Sequence, residues 1–223
     1  MSGSRLVVFD VDGTLCDSQH HIVAAMEHAF AAEGLPCPSR DTVLAIVGLS
    51  LPVAMARLAP DLPVSLQDRL VASYKTGYAG ARAARLAPLY DGISDLLGAL
   101  SERSDIVLGV ATGKSRRGLD QLLHAHGLEA VFSTRQVADD HPSKPHPAML
   151  LAAMAEAGVP PDRTLMIGDT TFDMLMGQAA GAATLAVTWG YHTEAALTAV
   201  RPDGIVRSVD AVAAALDDLW GRT

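Results

Sequence analysis

Val7-Val8-Phe9-Asp10-Val11-Asp12-Gly13-Thr14 sets an apolar run against two acids and a glycine. Residues 6–9 are continuously apolar and rich in β-formers, the pattern of a strand buried on both faces in a parallel sheet. Gly13 ends the run with a backbone free to turn. Asp10 therefore stands at the carboxyl end of a strand, the edge at which open α/β sheets bind ligands.

Working outward, the spacing over residues 17–87 predicts four helices and no strand. Asp17 and Ser18 cap the first, which carries Ile22, Met26, Ala29 and Phe30 on one face and stops at Gly34 and Pro36. Ser39 opens the second, and Ser50 with Pro52 the third. Ser65-Leu66-Gln67-Asp68 has capping-box spacing and is expected to open the fourth. After Pro88 the texture changes. Helices are expected over 93–100, 115–126, 146–157, 172–180 and 210–220, alternating with strands over 106–111, 131–132, 164–167, 184–187 and 204–206. Such alternation predicts right-handed crossovers and a parallel sheet with helices on both faces. The expected fold class is α/β: a Rossmann-like core from 1–16 and 88–223, with an all-α helical-bundle domain, 17–87, inserted after the first strand.

Composition limits the function. With 49% hydrophobic residues in 223, the chain can bury a real core. A formal charge of −8 argues against a nucleic-acid or anionic-membrane surface. No apolar run reaches the roughly 18 residues of a membrane span, and Arg5 and Asp10 interrupt any signal-peptide core. A cytoplasmic protein is expected, a monomer or weak homodimer. Cys16 and Cys37 lie outside any CxxC pair and read as free thiols.

Four strand ends carry polar residues: Asp10 and Asp12; Thr112 in Ala111-Thr112-Gly113-Lys114; Lys144 in Ser143-Lys144-Pro145; and Asp169 and Asp173 in Gly168-Asp169-Thr170-Thr171-Phe172-Asp173. A parallel sheet brings such ends to one edge. Two carboxylates about 4 Å apart repel by roughly 4 kcal/mol at an effective dielectric near 20, so Asp10 and Asp169 together require a cation. Oxygen-only ligands favour Mg²⁺. A lysine and a hydroxyl beside it suit the equatorial oxygens of a transferring phosphoryl group.

With those motifs in that order, the chain resembles the haloacid dehalogenase superfamily phosphatases that bear a helical cap after the first strand, close to the phosphoglycolate phosphatases. The resemblance covers nearly the whole chain. It implies Mg²⁺-dependent hydrolysis of a small phosphorylated metabolite, with Asp10 as the nucleophile that forms an aspartyl-phosphate. It implies that Asp12 protonates the leaving alcohol and then activates water. Thr112, Gly113 and Lys144 would hold the phosphoryl group. The metal would take the Asp10 carboxylate, the Asp12 carbonyl and Asp169, with Asp173, Gly13 and Thr14 in support. By the same resemblance the cap sets substrate choice, the segment 48–52 dips toward the site, and 17–19 and 85–91 act as hinges.

Other readings stand beside these. Asp10 and Asp12 also suit a plain Asp turn before Gly13, and Thr112-Gly113 ordinary turn chemistry. Lys114, Arg116 and Arg117 oppose the dipole at a helix start, which fits either a substrate anion or a solvated surface. Asp173 also suits a first-turn acid. The paired histidines lack metal-ligand spacing and read as surface or capping residues. Cys16 reads as a packed thiol, and Trp189 and Tyr191 as packing or interdomain contacts. A β-phosphoglucomutase-like sugar phosphomutase and a pyrophosphatase use the same motifs. Phosphonate hydrolysis in this family needs a cap lysine; Lys75 is the only one and is expected away from Gly48. Dehalogenating relatives lack the full metal set. A catalytically silent phospho-ligand-binding module would have lost Asp10, Asp12 or Lys144, and none is lost.

Overall fold

The computed structural model describes residues 3–221. Its centre is a parallel sheet of six strands: β1 (Arg5–Phe9), β2 (Ile106–Thr112), β3 (Thr134–Val137), β4 (Thr164–Gly168), β5 (Ala183–Val187) and β6 (Gly204–Val206), in the order β3-β2-β1-β4-β5-β6. The continuous apolar run of β1 now has its reason. Val7 and Phe9 pack on one face with the cluster that holds Leu97, Leu100, Leu119, Leu123 and Leu216. Leu6 and Val8 pack on the other with Met149, Leu150 and Met176. Period-two alternation thus feeds two cores from the four apolar residues after Arg5.

Among the described residues the α-helices are, in chain order, α1 (Gln19–Ala32), α2 (Arg40–Leu44), α3 (Leu51–Leu58), α4 (Val64–Ala84), α5 (Ile93–Ser101), α6 (Arg116–Ala125), α7 (Ala148–Ala157), α8 (Thr171–Ala179), α9 (Glu194–Ala199) and α10 (Ala211–Gly221). The first four form the expected helical insertion, with a core of their own that includes Ile22, Met26, Phe30, Val43, Met55 and Leu70. The chain leaves and re-enters the sheet domain at adjacent points. Asp17 N donates to Pro88 O at 2.9 Å, and Cys16 bridges Leu89 in antiparallel fashion. No helix among the described residues is long and apolar enough to cross a membrane.

Several expectations change. The strand expected over 131–132 is β3, starting at Thr134; Phe132 is buried in the turn before it. Ser65 does not cap α4, which begins one residue earlier on Pro63, so Ser65 lies inside the first turn. Ser18 precedes α1 but gives it no side-chain cap bond, because its hydroxyl turns to Asp12. α9 was not expected at all; Thr193 caps it by accepting from Ala196 N.

Strand order reverses at β1. The chain runs outward through β2 and β3, then returns to the other side of β1 as β4. The crevice beyond the carboxyl ends of β1 and β4 is the switch point where doubly wound sheets bind ligands. Phe9 is level with Ile167 in β4 and Val110 in β2. The residues that follow those three emerge together.

Candidate active site

Asp10 follows β1 directly, and its backbone N–H is fixed to Ile167 O at 2.9 Å. Its side chain is 1% exposed. Lys144 Nζ lies 2.8 Å from Asp10 Oδ1 as an ion pair. The other Asp10 oxygen, Oδ2, is buried with no donor. Burial is the main force that holds this carboxyl up at about 7; Lys144 pulls it down, while Asp173 and Asp12 push it up.

Lys144 reaches this point from the loop between β3 and α7 and also pairs with Asp173 Oδ1 at 2.6 Å. Burial alone would weaken the ammonium, but the two acids keep its pKa above the ordinary value. Asp173 is more than a helix-start acid. Its other oxygen accepts from Thr170 N at 3.1 Å and Thr170 Oγ1 at 2.7 Å, while Thr170 Oγ1 accepts from Asp173 N. This reciprocal capping box fixes α8 and aims Asp173 at Lys144.

Asp169 follows β4 and is fully buried. Thr14 Oγ1 and Tyr191 N each donate to it at 2.8 Å. Burial first, then Asp173 and Asp10, raise its pKa well above the ordinary value; the two donors act against that. The backbone leaves no slack around it. A Cβ on Gly13, where φ is +87°, or on Gly190 would come within 2.2 Å of Asp169 Oδ2. Asp10, Asp169 and Asp173 each offer an oxygen within 4.8 Å of the others, the one such group among the described residues. Three buried carboxylates this close, beside a glycine cradle and sharing one lysine, fit a hard divalent cation.

Asp12 faces away from that group. Its Oδ1 lies 2.8 Å from Lys114 Nζ and accepts from the Ser18 hydroxyl. Lys114 in turn donates to Tyr78 of α4 at 2.8 Å. This settles one open reading: Lys114 points inward, only 9% exposed, and although burial opposes its charge, Asp12 and Tyr78 together keep its pKa well above ordinary. Arg116 turns outward to Asp140 at 2.7 Å. Thr112 is buried at the end of β2, where its Oγ1 accepts from Lys114 N at 3.2 Å.

The insertion rests on this edge. A Cβ on Gly113 would meet Leu49 O at 2.7 Å and Gly48 O at 2.9 Å, so the backbone of segment 48–52 lies directly on it. Ser50 N donates to Ser143 Oγ at 2.8 Å, and His192 Nε2 lies 3.1 Å from Ala45 O. Lys75 lines the same cleft as Gly48, contrary to the expectation that it lies away from that loop.

Sequence reasoning missed Ser18, Gly190 and the backbone of Tyr191 as parts of the site. Only Gly190, beside two aromatics after a strand, carried a usable signal. Trp189 Nε1 donates to Thr14 O at 3.1 Å, so the segment after β5 braces the turn after β1. Cys16 is a packed thiol: its Sγ meets Ala87 O at 3.4 Å, and burial pushes its pKa up to about 12.

Residues 7–187 match the family described as haloacid dehalogenase-like hydrolase. The chain is 36% identical to a probable phosphatase, IndB, of Dickeya dadantii, over 94% of this chain and 92% of that one. It is 32% identical to the pyrophosphatase PpaX of Bacillus pumilus (91% and 92% covered) and 30% identical to a phosphoglycolate phosphatase of Escherichia coli (95% and 92% covered). Among solved structures, a haloacid dehalogenase-like family hydrolase from Streptococcus pneumoniae superposes with a TM-score of 0.83 at 29% identity, over 96% of this chain and 99% of that one.

Proposed function

The chain belongs to the haloacid dehalogenase-like hydrolase family and is a phosphatase of that family, and from this we propose that it hydrolyses a small phosphate monoester through an aspartyl-phosphate on Asp10, with Mg²⁺. The observation that carries the proposal is Asp10 itself, buried at the end of β1 with Lys144 Nζ 2.8 Å from one oxygen and no donor to the other. A carboxylate held that way is poorly solvated, close to a fixed cation, and free to accept either a metal or phosphorus.

In the first step an Asp10 oxygen attacks phosphorus and the bond to the leaving oxygen breaks. Asp12 gives that oxygen a proton, so the alcohol leaves neutral. In the second step Asp12 takes a proton from water, the water oxygen attacks the phosphoryl group, and Asp10 is released with inorganic phosphate. One carboxyl group thus serves as acid and then as base. Lys114 and Ser18 orient it for both tasks. Lys144, Thr112 and the backbone at Gly113 hold the phosphoryl oxygens. The Asp10 and Asp169 carboxylates and the Asp12 carbonyl would hold Mg²⁺, with Asp173, Gly13 and Thr14 fixing their positions. The ion would offset the charge of the acids and of the phosphoryl oxygens. The helical insertion 17–87 acts as the cap, which excludes water and reads the leaving group.

The reading is tested with p-nitrophenyl phosphate and MgCl₂. Turnover is expected to require the metal, and Asp10→Asn is expected to lower kcat at least about a thousandfold with the fold intact by circular dichroism. A near-normal rate in that variant overturns the assignment. The likeness to a pyrophosphatase supports a second reading, in which the leaving group is itself phosphate. A higher kcat/KM for pyrophosphate than for any monoester would replace the first reading with the second.

A further inference from the structure

We propose that the leaving alcohol has an apolar, ring-sized body and a second anionic group at its far end, an inference that rests on the phosphatase reading above. Beyond Asp12 the cleft between the insertion and the sheet domain has a volume of about 430 Å³. That lies within the roughly 300–1,000 Å³ of sites that enclose whole organic ligands. A two-carbon acid or a second phosphate leaves most of it unfilled.

The walls are of two kinds. Ile22 and Met26 of α1, Val47 beyond α2, and Tyr74 and Tyr78 of α4 give an apolar lining. The two tyrosine rings stack with centroids 5.9 Å apart and planes at 26°. The other wall is cationic. Lys75, Tyr78, Ala79 and Arg82 recur at i, i+3, i+4 and i+7, which sets them on one side of α4, and all four line the cleft. Arg117 faces them from the first turn of α6.

Lys114 is already satisfied by Asp12 and Tyr78. Lys75, Arg82 and Arg117 have neither an ion pair nor a hydrogen bond among the described residues. Of the acids lining the cleft, Asp12 is engaged by Lys114 and Ser18, and Asp139 accepts from Arg116 N at 2.8 Å. Arg117 also opposes the dipole of its helix, where its neighbour Arg116 is matched by Asp140. In a chain of formal charge −8, unmatched cations gathered around one cleft imply an anion that arrives with the substrate. By contrast, a hollow of about 380 Å³ beside β3 is lined by Arg116 and Arg135, and both are already engaged, Arg116 by Asp140 and Arg135 by backbone carbonyls.

The test compares kcat/KM of the Mg²⁺-loaded enzyme for 2-phosphoglycolate, benzyl phosphate and 4-carboxybenzyl phosphate. The last is expected to exceed both others by at least about tenfold, since it alone joins a ring to a distal carboxylate. In the double variant Arg82→Gln, Arg117→Gln its advantage over benzyl phosphate is expected to narrow to within about threefold, through KM. Equal use of the two benzyl esters, a preference for 2-phosphoglycolate, or an unchanged ratio in the double variant overturns the inference while hydrolysis stands. No turnover of any ester overturns both this inference and the phosphatase reading.

Discussion

Asp10 and Asp169 are held in a place that resists their ionisation, and that has a measurable sign. The Asp10 carboxyl rises from 3.8 to about 7, chiefly through burial, and Asp169 shifts the same way. Their folded pKa values exceed the unfolded ones, so these groups contribute stability that is full below about pH 4 and lost as pH rises through about 7. A divalent cation binds the ionised form and reverses that loss. The rise in Tm on adding MgCl₂ is therefore expected to be larger at about pH 8 than at about pH 5. Equal shifts at both pH values, followed by scanning fluorimetry, would exclude the acids as its source. At this scale the sequence was informative where a residue's position follows from its own strand end, as for Asp10 and Asp169. It left Lys114 open. Whether a helix-start cation turns inward depends on Tyr78 in another helix, and no local pattern records that partner.

At the scale of elements, apolar periodicity located nearly every helix and strand, because burial on one or two faces leaves a mark in each. Side-chain capping was harder to read. Thr170 and Ser65 both begin sequences with capping-box spacing, yet only Thr170 forms the box, because Pro63 already starts α4 before Ser65. Thr170→Ala is expected to lower stability by about 1 kcal/mol, or ~2–4 °C in Tm for a chain of this size. It should also lower kcat, since Asp173 loses a partner that aims it at Lys144. Ser65→Ala, at an exposed position without a cap bond, is expected to change stability by less than about 0.5 kcal/mol. A larger loss at Ser65 than at Thr170 in urea melts would reverse this account. β3 was placed too early because Phe132 is buried like a strand residue although it lies in a turn, and α9 was missed because one buried side chain, Leu197, gives too little periodicity to detect.

For the whole molecule, the sheet order follows from right-handed crossovers once β1 is central, and the site follows from the order. The resemblance placed segment 48–52 of the insertion toward the site, but local residue patterns could not, since many of its contacts there involve backbone atoms: Ser50 N, Ala45 O and the carbonyls of Gly48 and Leu49. Because most of its core is its own, with Phe172 and Tyr191 of the sheet domain joining it, replacing residues 17–87 by a short Gly linker is expected to leave a folded sheet domain. That domain should still cleave p-nitrophenyl phosphate at a reduced rate, while losing discrimination among larger esters. Unchanged relative rates across an ester panel would show that the helices do not choose the substrate. The two chain crossings, hydrogen-bonded side by side at Asp17 and Pro88, carry a further consequence. They form a socket: a compact unit whose ends lie next to each other can be plugged in there without altering a strand, provided that it replaces the contacts Ser18 and Tyr78 make to Asp12 and Lys114. On the proposed reading this makes the sheet domain a fixed engine and the insertion an exchangeable cassette, and new specificities are expected from swapping the cassette.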